Sequence, residues 1–116
     1  MSQQMLDWGE YRNQLNKMLG GIARVSPDIL KGNEILSNAA PKPGTLDAKT
    51  RKLVALAVAV TTRCDGCIAY HTAGARKAGA TKEELVEALG VAIALNEGAA
   101  LIYSARAVDA FDSTAE

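Results

Sequence analysis

The sequence predicts an all-α protein, a bundle of five or six helices, and three observations support that prediction. Apolar residues recur at spacings of three and four along most of the 116-residue chain, which is the period of an amphipathic helix. Residues that cap or end helices stand between these segments. No segment shows the strict alternation of a half-buried strand, and the loops are short, as in helical bundles.

The N-terminal region contains two predicted helices. The first runs from about Asp7 to Val25, and the second begins at Ser26, because serine is a good N-cap and Pro27 fits the first helical position. The apolar contacts expected from them are Trp8, Tyr11, Leu15, Met18, Leu19 and Ile22 on the first helix and Ile29, Leu30, Ile35 and Leu36 on the second.

A stiff connector follows these helices, since Pro41, Pro43 and Gly44 fall within four residues. It is the best candidate boundary between an N-terminal helical arm, residues 1–40, and a core, residues 41–116. A chain of this length is one domain overall.

The third helix is predicted from Leu46 or Asp47 to about Thr62 and is apolar nearly all round. Such a helix is usually buried on more than one side. This pattern predicts a central helix, or one that is shared with a second subunit.

Three further helices complete the bundle. The fourth runs from about Cys64 to Ala78 and ends at Gly79, a typical terminal glycine. The fifth opens on a capping box that begins at Thr81, and the sixth follows Gly98. The side chains expected to face inward on the sixth are Leu101, Ile102, Ala105, Val108 and Phe111.

Composition narrows the classes of function. The 13 basic and 13 acidic residues balance, so no general attraction to nucleic acid or to an anionic membrane is expected. The longest apolar run, residues 53–60, is far shorter than the roughly 20 residues that span a bilayer. The N-terminus lacks an apolar targeting segment, which predicts a cytoplasmic protein without a membrane partner.

A Cys-x-x-Cys pair, Cys64 and Cys67, stands at the predicted start of the fourth helix. A helix N-terminus stabilises a thiolate, the reactive species in disulfide exchange and peroxide reduction. His71, the one histidine of the chain, follows Cys67 by four residues and Cys64 by seven, which places all three side chains on one helical stripe. An imidazole there could exchange a thiol proton near neutral pH.

Other interpretations of the cysteines stay open at this point. Both could be small core residues. A zinc site would need a fourth ligand beyond two cysteines and one histidine, so neither a metal nor another cofactor is expected. A thioredoxin fold is excluded by the lack of predicted strands.

The stretch from Leu46 to the turn at Glu97 and Gly98, about half of the chain, resembles the alkyl hydroperoxidase D-like core of the carboxymuconolactone decarboxylase family. The Cys-x-x-Cys-x-x-x-His pattern is the redox signature of that branch, here Cys64, Cys67 and His71. The resemblance implies an all-helical homo-oligomer, a trimer or hexamer. It also implies a peroxidase or disulfide reductase that acts on a small peroxide or disulfide, with a dithiol as electron donor.

One position departs from the pattern. The redox branch usually carries a relay glutamate twelve residues before the first cysteine, and Lys52 stands there in this chain. A lysine cannot act as the relay carboxylate, but near the cysteines it would favour a thiolate, so Lys52 is a candidate modulator. The acids that could replace the glutamate are Glu34, Asp65 and Glu97, and no spacing selects one of them.

The sequence therefore leaves several functions open. A thiol-dependent peroxidase or disulfide oxidoreductase with an antioxidant role is the first. A thiol-disulfide carrier or redox sensor without peroxidase activity is the second, and Lys52 motivates it. A helical module with inert cysteines and a lactone decarboxylase are the remaining alternatives. The residues do not decide whether Cys64 or Cys67 attacks first.

Overall fold

The computed structural model describes residues 4–39 and 44–115. Within these ranges the chain is helical and has no strand, which confirms the predicted fold class. The helices are α1 (Trp8–Val25), α2 (Pro27–Ser37), α3 (Ala48–Thr62), α4 (Asp65–Lys77), α5 (Lys82–Leu95) and α6 (Glu97–Asp112). Pro41 and Pro43 lie outside the described residues, so the boundary between arm and core stays a prediction.

Most helix ends follow the local chemistry that predicted them, but α6 begins at Glu97 and contains Gly98, which was predicted to precede it. Asp47 caps α3 by accepting a hydrogen bond from the Thr50 amide, and Thr81 and Glu84 form the expected capping box of α5. Gly79 ends the α4 turn with φ of 90°. Ser26 is the N-cap of α2, as predicted, but its side chain makes no capping hydrogen bond.

Helix α3 is the centre of the bundle, because it packs against α4, α5 and α6. Its buried face consists of Leu56, Ala59 and Val60. α1 lies against α4, and α2 packs against α1. The α3–α4 pair therefore forms the part of the scaffold on which the cysteines are placed.

Two aromatic side chains anchor a core that is otherwise mainly aliphatic. Trp8 and Phe111 are fully buried, and the Trp8 indole donates a hydrogen bond of 2.8 Å to Asp109. The Arg76 guanidinium lies 3.9 Å from the centre of the Phe111 ring and donates to the Phe111 carbonyl. These contacts join α6 to α1 and to α4.

Several apolar side chains that were expected to face inward are exposed instead. On α6 the buried stripe is made of small residues such as Ala100 and Ala107, which allow close helix packing, while Leu101 and Ile102 point outward. Ala105 is exposed as well, so the predicted inward face of α6 is wrong at these three positions. Exposed apolar side chains on α1 and α2 include Met18, Ile22, Ile29, Ile35 and Leu36.

None of the helices in the described ranges combines the length and the hydrophobicity that a transmembrane span requires.

Candidate redox site

A tight turn between α3 and α4 positions the first cysteine. Arg63 adopts a left-handed backbone conformation, with φ of 58° and ψ of 48°. This conformation lets the Cys64 amide donate a 3.0 Å hydrogen bond back to the Ala59 carbonyl, which closes the end of α3. The chain then reverses, and α4 begins at Asp65 directly after the cysteine.

The two cysteines form a disulfide across the first turn of α4, and their Cα atoms are 5.2 Å apart. Cys64 is the N-cap residue of the helix, and its sulfur accepts a 3.1 Å hydrogen bond from the Cys67 amide. Both residues are partly buried, and Cys67 packs against the core. The amide donor and the helix dipole therefore act on the Cys64 sulfur, which is where a thiolate would be stabilised.

His71 lies on the same helix, one turn beyond Cys67, and is partly buried. Its Nδ1 atom is 3.3 Å from the Nζ atom of Lys52, which reaches it from α3. Burial lowers the pKa of His71 below its ordinary value, and the charge of Lys52 lowers it further. The neutral imidazole is therefore favoured in the folded protein.

A glycine on α4 makes room for the lysine. A Cβ atom on Gly74 would lie 2.8 Å from Cε and 3.2 Å from Nζ of Lys52. The lysine would have to shift to make room for a Cβ atom, so the absence of a side chain at residue 74 lets it take this position along α4. Lys52 therefore lies against His71, as its interpretation as a candidate modulator required.

The acids considered as replacements for the relay glutamate do not take its place. Asp65 forms a two-point ion pair with Arg106 of α6, with distances of 2.9 Å and 2.8 Å. Asp65 also raises the pKa of Arg106 by this hydrogen bonding. Glu34 on α2 and Glu97 at the start of α6 are exposed, and the charge that acts on His71 is that of Lys52.

Sequence reasoning missed two supporting features of the site. Arg106 connects α6 to Asp65, one of the two residues between the cysteines, and its guanidinium also lies 5.6 Å from the centre of the Trp8 ring. Gly66 is the second feature, because a Cβ atom there would lie 2.9 Å from a methyl group of Leu15 on α1. A glycine inside a helical segment signals close packing, so Gly66 and Gly74 carried a usable signal, whereas Arg106 carried none.

An open apolar groove of about 720 Å³ lies between α3 and α5, apart from the cysteines. Leu53, Val58 and Val91 are among its lining residues, and neither cysteine nor His71 belongs to them. Within residues 4–39 and 44–115, no group of three or more His, Cys, Asp or Glu side chains is arranged to hold a metal ion.

Comparison with known proteins identifies the family. Residues 27–110 match the profile of the carboxymuconolactone decarboxylase family. This chain belongs to that family. A crystal structure of a carboxymuconolactone decarboxylase family protein from Legionella pneumophila, in its apo form, superimposes with a TM-score of 0.88 at 36% sequence identity. The match covers 94% of this chain and 97% of the Legionella chain.

Two curated relatives also match over most of their length. An uncharacterized protein of Haemophilus influenzae is 49% identical over 105 residues, which is 90% of this chain and 93% of the relative. An uncharacterized protein of the cox locus of Paracoccus denitrificans is 38% identical and covers 81% of this chain and 85% of its own. The family profile matches residues 27–110, and the Legionella structure extends the match to 94% of the chain.

Proposed function

We propose that this protein is an alkyl hydroperoxidase D-like oxidoreductase that reduces peroxides or disulfides through Cys64 and Cys67, with an antioxidant role. The disulfide across the first turn of α4 is the observation that carries the proposal. It places two sulfurs at a helix N-terminus, where thiolates are stabilised. His71 follows Cys67 by one helical turn, and side chains at that spacing are neighbours. Its imidazole is therefore suited to exchange a proton with a thiol.

The proposed peroxide reaction begins from the reduced protein. A cysteine thiolate attacks the outer peroxide oxygen, which breaks the O–O bond, releases an alcohol or water and leaves a sulfenic acid. The second cysteine displaces the sulfenic oxygen as water and forms the Cys64–Cys67 disulfide. An external dithiol then reduces this disulfide and is itself oxidised to a disulfide.

Single substitutions test this proposal directly. Cys64→Ser and Cys67→Ser should each abolish sustained, dithiol-dependent hydroperoxide consumption, because the cycle needs two sulfurs. Thiol–disulfide exchange is followed on the same samples. Thr61→Ser, a small change at an exposed position of α3, serves as the control and should retain the wild-type rate. Full activity in both cysteine variants would contradict the proposal.

A second candidate function is a thiol–disulfide carrier or redox sensor with negligible peroxide turnover. The contact of Lys52 with His71 favours it, because the position lacks the relay carboxylate of the peroxidase branch. Rapid thiol–disulfide exchange with a dithiol, together with peroxide consumption no faster than that of a free thiol, would select the carrier. A peroxide rate that depends on both cysteines and greatly exceeds the free-thiol rate would select the peroxidase.

We also propose that the working form is a homo-oligomer, a trimer or hexamer, located in the cytoplasm. Exposed apolar side chains support the assembly, since Leu36 is 77% exposed and Leu95 is 84% exposed in the single chain. Large exposed apolar patches usually mark contact surfaces. A cytoplasmic location fits a disulfide that is cycled by dithiol donors instead of serving as a permanent cross-link.

A further inference from the structure

The contact between Lys52 and His71 determines which imidazole nitrogen can carry a proton. A lysine ammonium has three donors and no acceptor. Its Nζ atom lies 3.3 Å from Nδ1 of His71, so Nδ1 must accept the hydrogen bond through its lone pair. The neutral ring then carries its single proton on Nε2.

The direction from which Lys52 arrives leaves Nε2 as the nitrogen available to the cysteines. The lysine stem passes over Gly74, three residues beyond His71 along α4. Cys67 lies four residues before His71, so along the helix axis Cys67 and Gly74 are on opposite sides of the histidine. Long side chains on a helix lean toward its N-terminus and cover the preceding turn, so we expect the His71 ring to lie over the turn that contains Cys67.

The other helices that pack against α4 bring charges that have different partners. From α1, Arg12 donates a hydrogen bond to the Ala69 carbonyl. From α6, Arg106 is paired with Asp65. Lys52 of α3 is therefore the charged group that sets the state of the His71 ring.

From this geometry we propose that Lys52 is a positioning residue. It holds His71 as a neutral imidazole with its proton on Nε2, ready to donate a hydrogen bond to the Cys67 thiolate that is released when the disulfide opens. The inference rests on the proposed redox function and deepens it, because it makes His71 a hydrogen-bond donor to the leaving sulfur and Lys52 the reason for that role.

The step that this arrangement assists can be written in full. A donor thiolate attacks the Cys64 sulfur and forms a new S–S bond, while the Cys64–Cys67 bond breaks and its electron pair stays on the Cys67 sulfur. The Nε2–H of His71 stabilises that thiolate. A second donor thiol, as thiolate, then attacks the donor sulfur of the mixed disulfide, releases Cys64 as a thiolate and forms the oxidised donor.

Stabilising the leaving thiolate favours the reduced protein, so the disulfide becomes a better oxidant. Removing the ammonium should therefore decrease the acid dissociation constant of the Cys67 thiol about tenfold. A tenfold change in a two-electron equilibrium corresponds to about 30 mV. At a pH where the Cys67 thiol is ionised in both proteins, the midpoint potential of Lys52→Met should be more negative than that of the wild type by about that amount.

Three measurements test the proposal. Imidazole nitrogen NMR of the oxidised protein should show the Nε2–H tautomer in the wild type and lose that preference in Lys52→Met. Thiolate absorbance in a Cys64→Ser background reports the ionisation of Cys67 alone, with and without Lys52→Met. Equilibration of the two-cysteine protein and its Lys52→Met variant with a dithiol buffer gives the two potentials.

Two further variants separate the position of the charge from its presence. Gly74→Ala keeps the ammonium but displaces it, and alanine is a better helix former than glycine. We therefore expect undiminished thermal stability together with changes in tautomer and potential in the same direction as those of Lys52→Met. Lys77→Met removes an exposed cation at the end of α4 and should change neither readout.

Each result decides a separate question. An Nδ1–H tautomer in the wild type, or a Lys52→Met potential equal to that of Lys77→Met, would overturn the inference while leaving the redox function intact. A wild-type disulfide that no dithiol reduces would overturn the proposed function itself, and the NMR readout would still report the tautomer.

Discussion

Cys64 combines a structural role, as a helix cap, with the chemical role that we propose for it. As the N-cap of α4 it takes the place of the usual serine or aspartate, and its sulfur accepts the hydrogen bond that those side chains accept. The Cys67 amide that donates this hydrogen bond and the dipole of α4 also stabilise a negative charge on the sulfur. Cys67 is packed against the core, so we expect an external thiol to attack Cys64.

His71 predicts a dependence of stability on pH. Its pKa is lowered in the folded state by burial and by Lys52, whereas in the unfolded chain a histidine titrates near 6.5. The unfolded state therefore binds the proton first as the pH falls. The contribution of neutral His71 to the free energy of unfolding is fully present above about pH 6.5. It is lost as the pH falls toward the pKa of His71 in the folded state.

We expect the loss to be below about 1 kcal/mol, because water screens a partly exposed group. Urea unfolding of the oxidised wild type and of His71→Gln at pH 8, 6.5 and 5.5 measures it. The wild type should lose more stability over this range than His71→Gln. Equal slopes for the two proteins would show that the neutral ring is not favoured by folding.

The charge at position 52 predicts the direction in which the His71 pKa moves. Lys52→Glu replaces a repelling cation with an attracting carboxylate, so the pKa of His71 should rise above its wild-type value. Lys52→Met should give an intermediate value, because burial still lowers the pKa. NMR titration of the single histidine gives all three values directly, and any other order would contradict the account of this contact.

At the scale of the helices, the turn between α3 and α4 contains backbone strain. Arg63 occupies the left-handed region with φ of 58°, which costs a residue with a side chain about 1 kcal/mol or more. Arg63→Gly should therefore raise the free energy of unfolding by about 0.5 kcal/mol, after the extra flexibility of glycine in the unfolded chain is counted.

Gly79→Ala is the matched opposite change, because Gly79 has φ of 90° and alanine is strained there. It should lower the free energy of unfolding by about 1 kcal/mol or more. Denaturant unfolding measures both variants at one pH. A destabilised Arg63→Gly protein would mean that contacts of the arginine side chain outweigh the strain of its backbone.

Helix boundaries were predictable because their determinants are local in sequence. Asp47, Thr81 and Gly79 act within a turn of their own position, and each is found where the sequence placed it. The contact between Lys52 and His71 depends on how α3 and α4 pack, and this packing is set by residues that are distant in sequence. Spacing alone could therefore place Cys64, Cys67 and His71 on one stripe but could not orient Lys52.

At the scale of the whole molecule, the single chain leaves apolar surface that its own helices do not cover. Val58 and Val91 line the groove between α3 and α5, and Leu36 projects from α2. The sequence showed that these residues were apolar, but it could not show whether the same chain or another copy covers them. The prediction that α3 is central is confirmed by its contacts with three helices.

The proposed assembly predicts a mass several times that of the 12.2 kDa chain. Light scattering after gel filtration at micromolar concentration should show the mass of a trimer or hexamer. Val91→Asp, which places a charge in the apolar groove, should reduce that mass, while Lys77→Asp on exposed surface should not. A wild-type mass near 12 kDa would contradict the assembly.

The central claim is that Cys64 and Cys67 form a reversible redox couple, and a redox titration tests it most directly. The oxidised protein is equilibrated with glutathione or dithiothreitol buffers of defined potential, the thiols are trapped by alkylation, and the two states are counted by mass spectrometry. A single two-electron transition between about −120 and −270 mV, the range of thiol oxidoreductases, is predicted. A disulfide that stays intact below about −300 mV, as structural disulfides do, or thiols that never pair, would contradict the account.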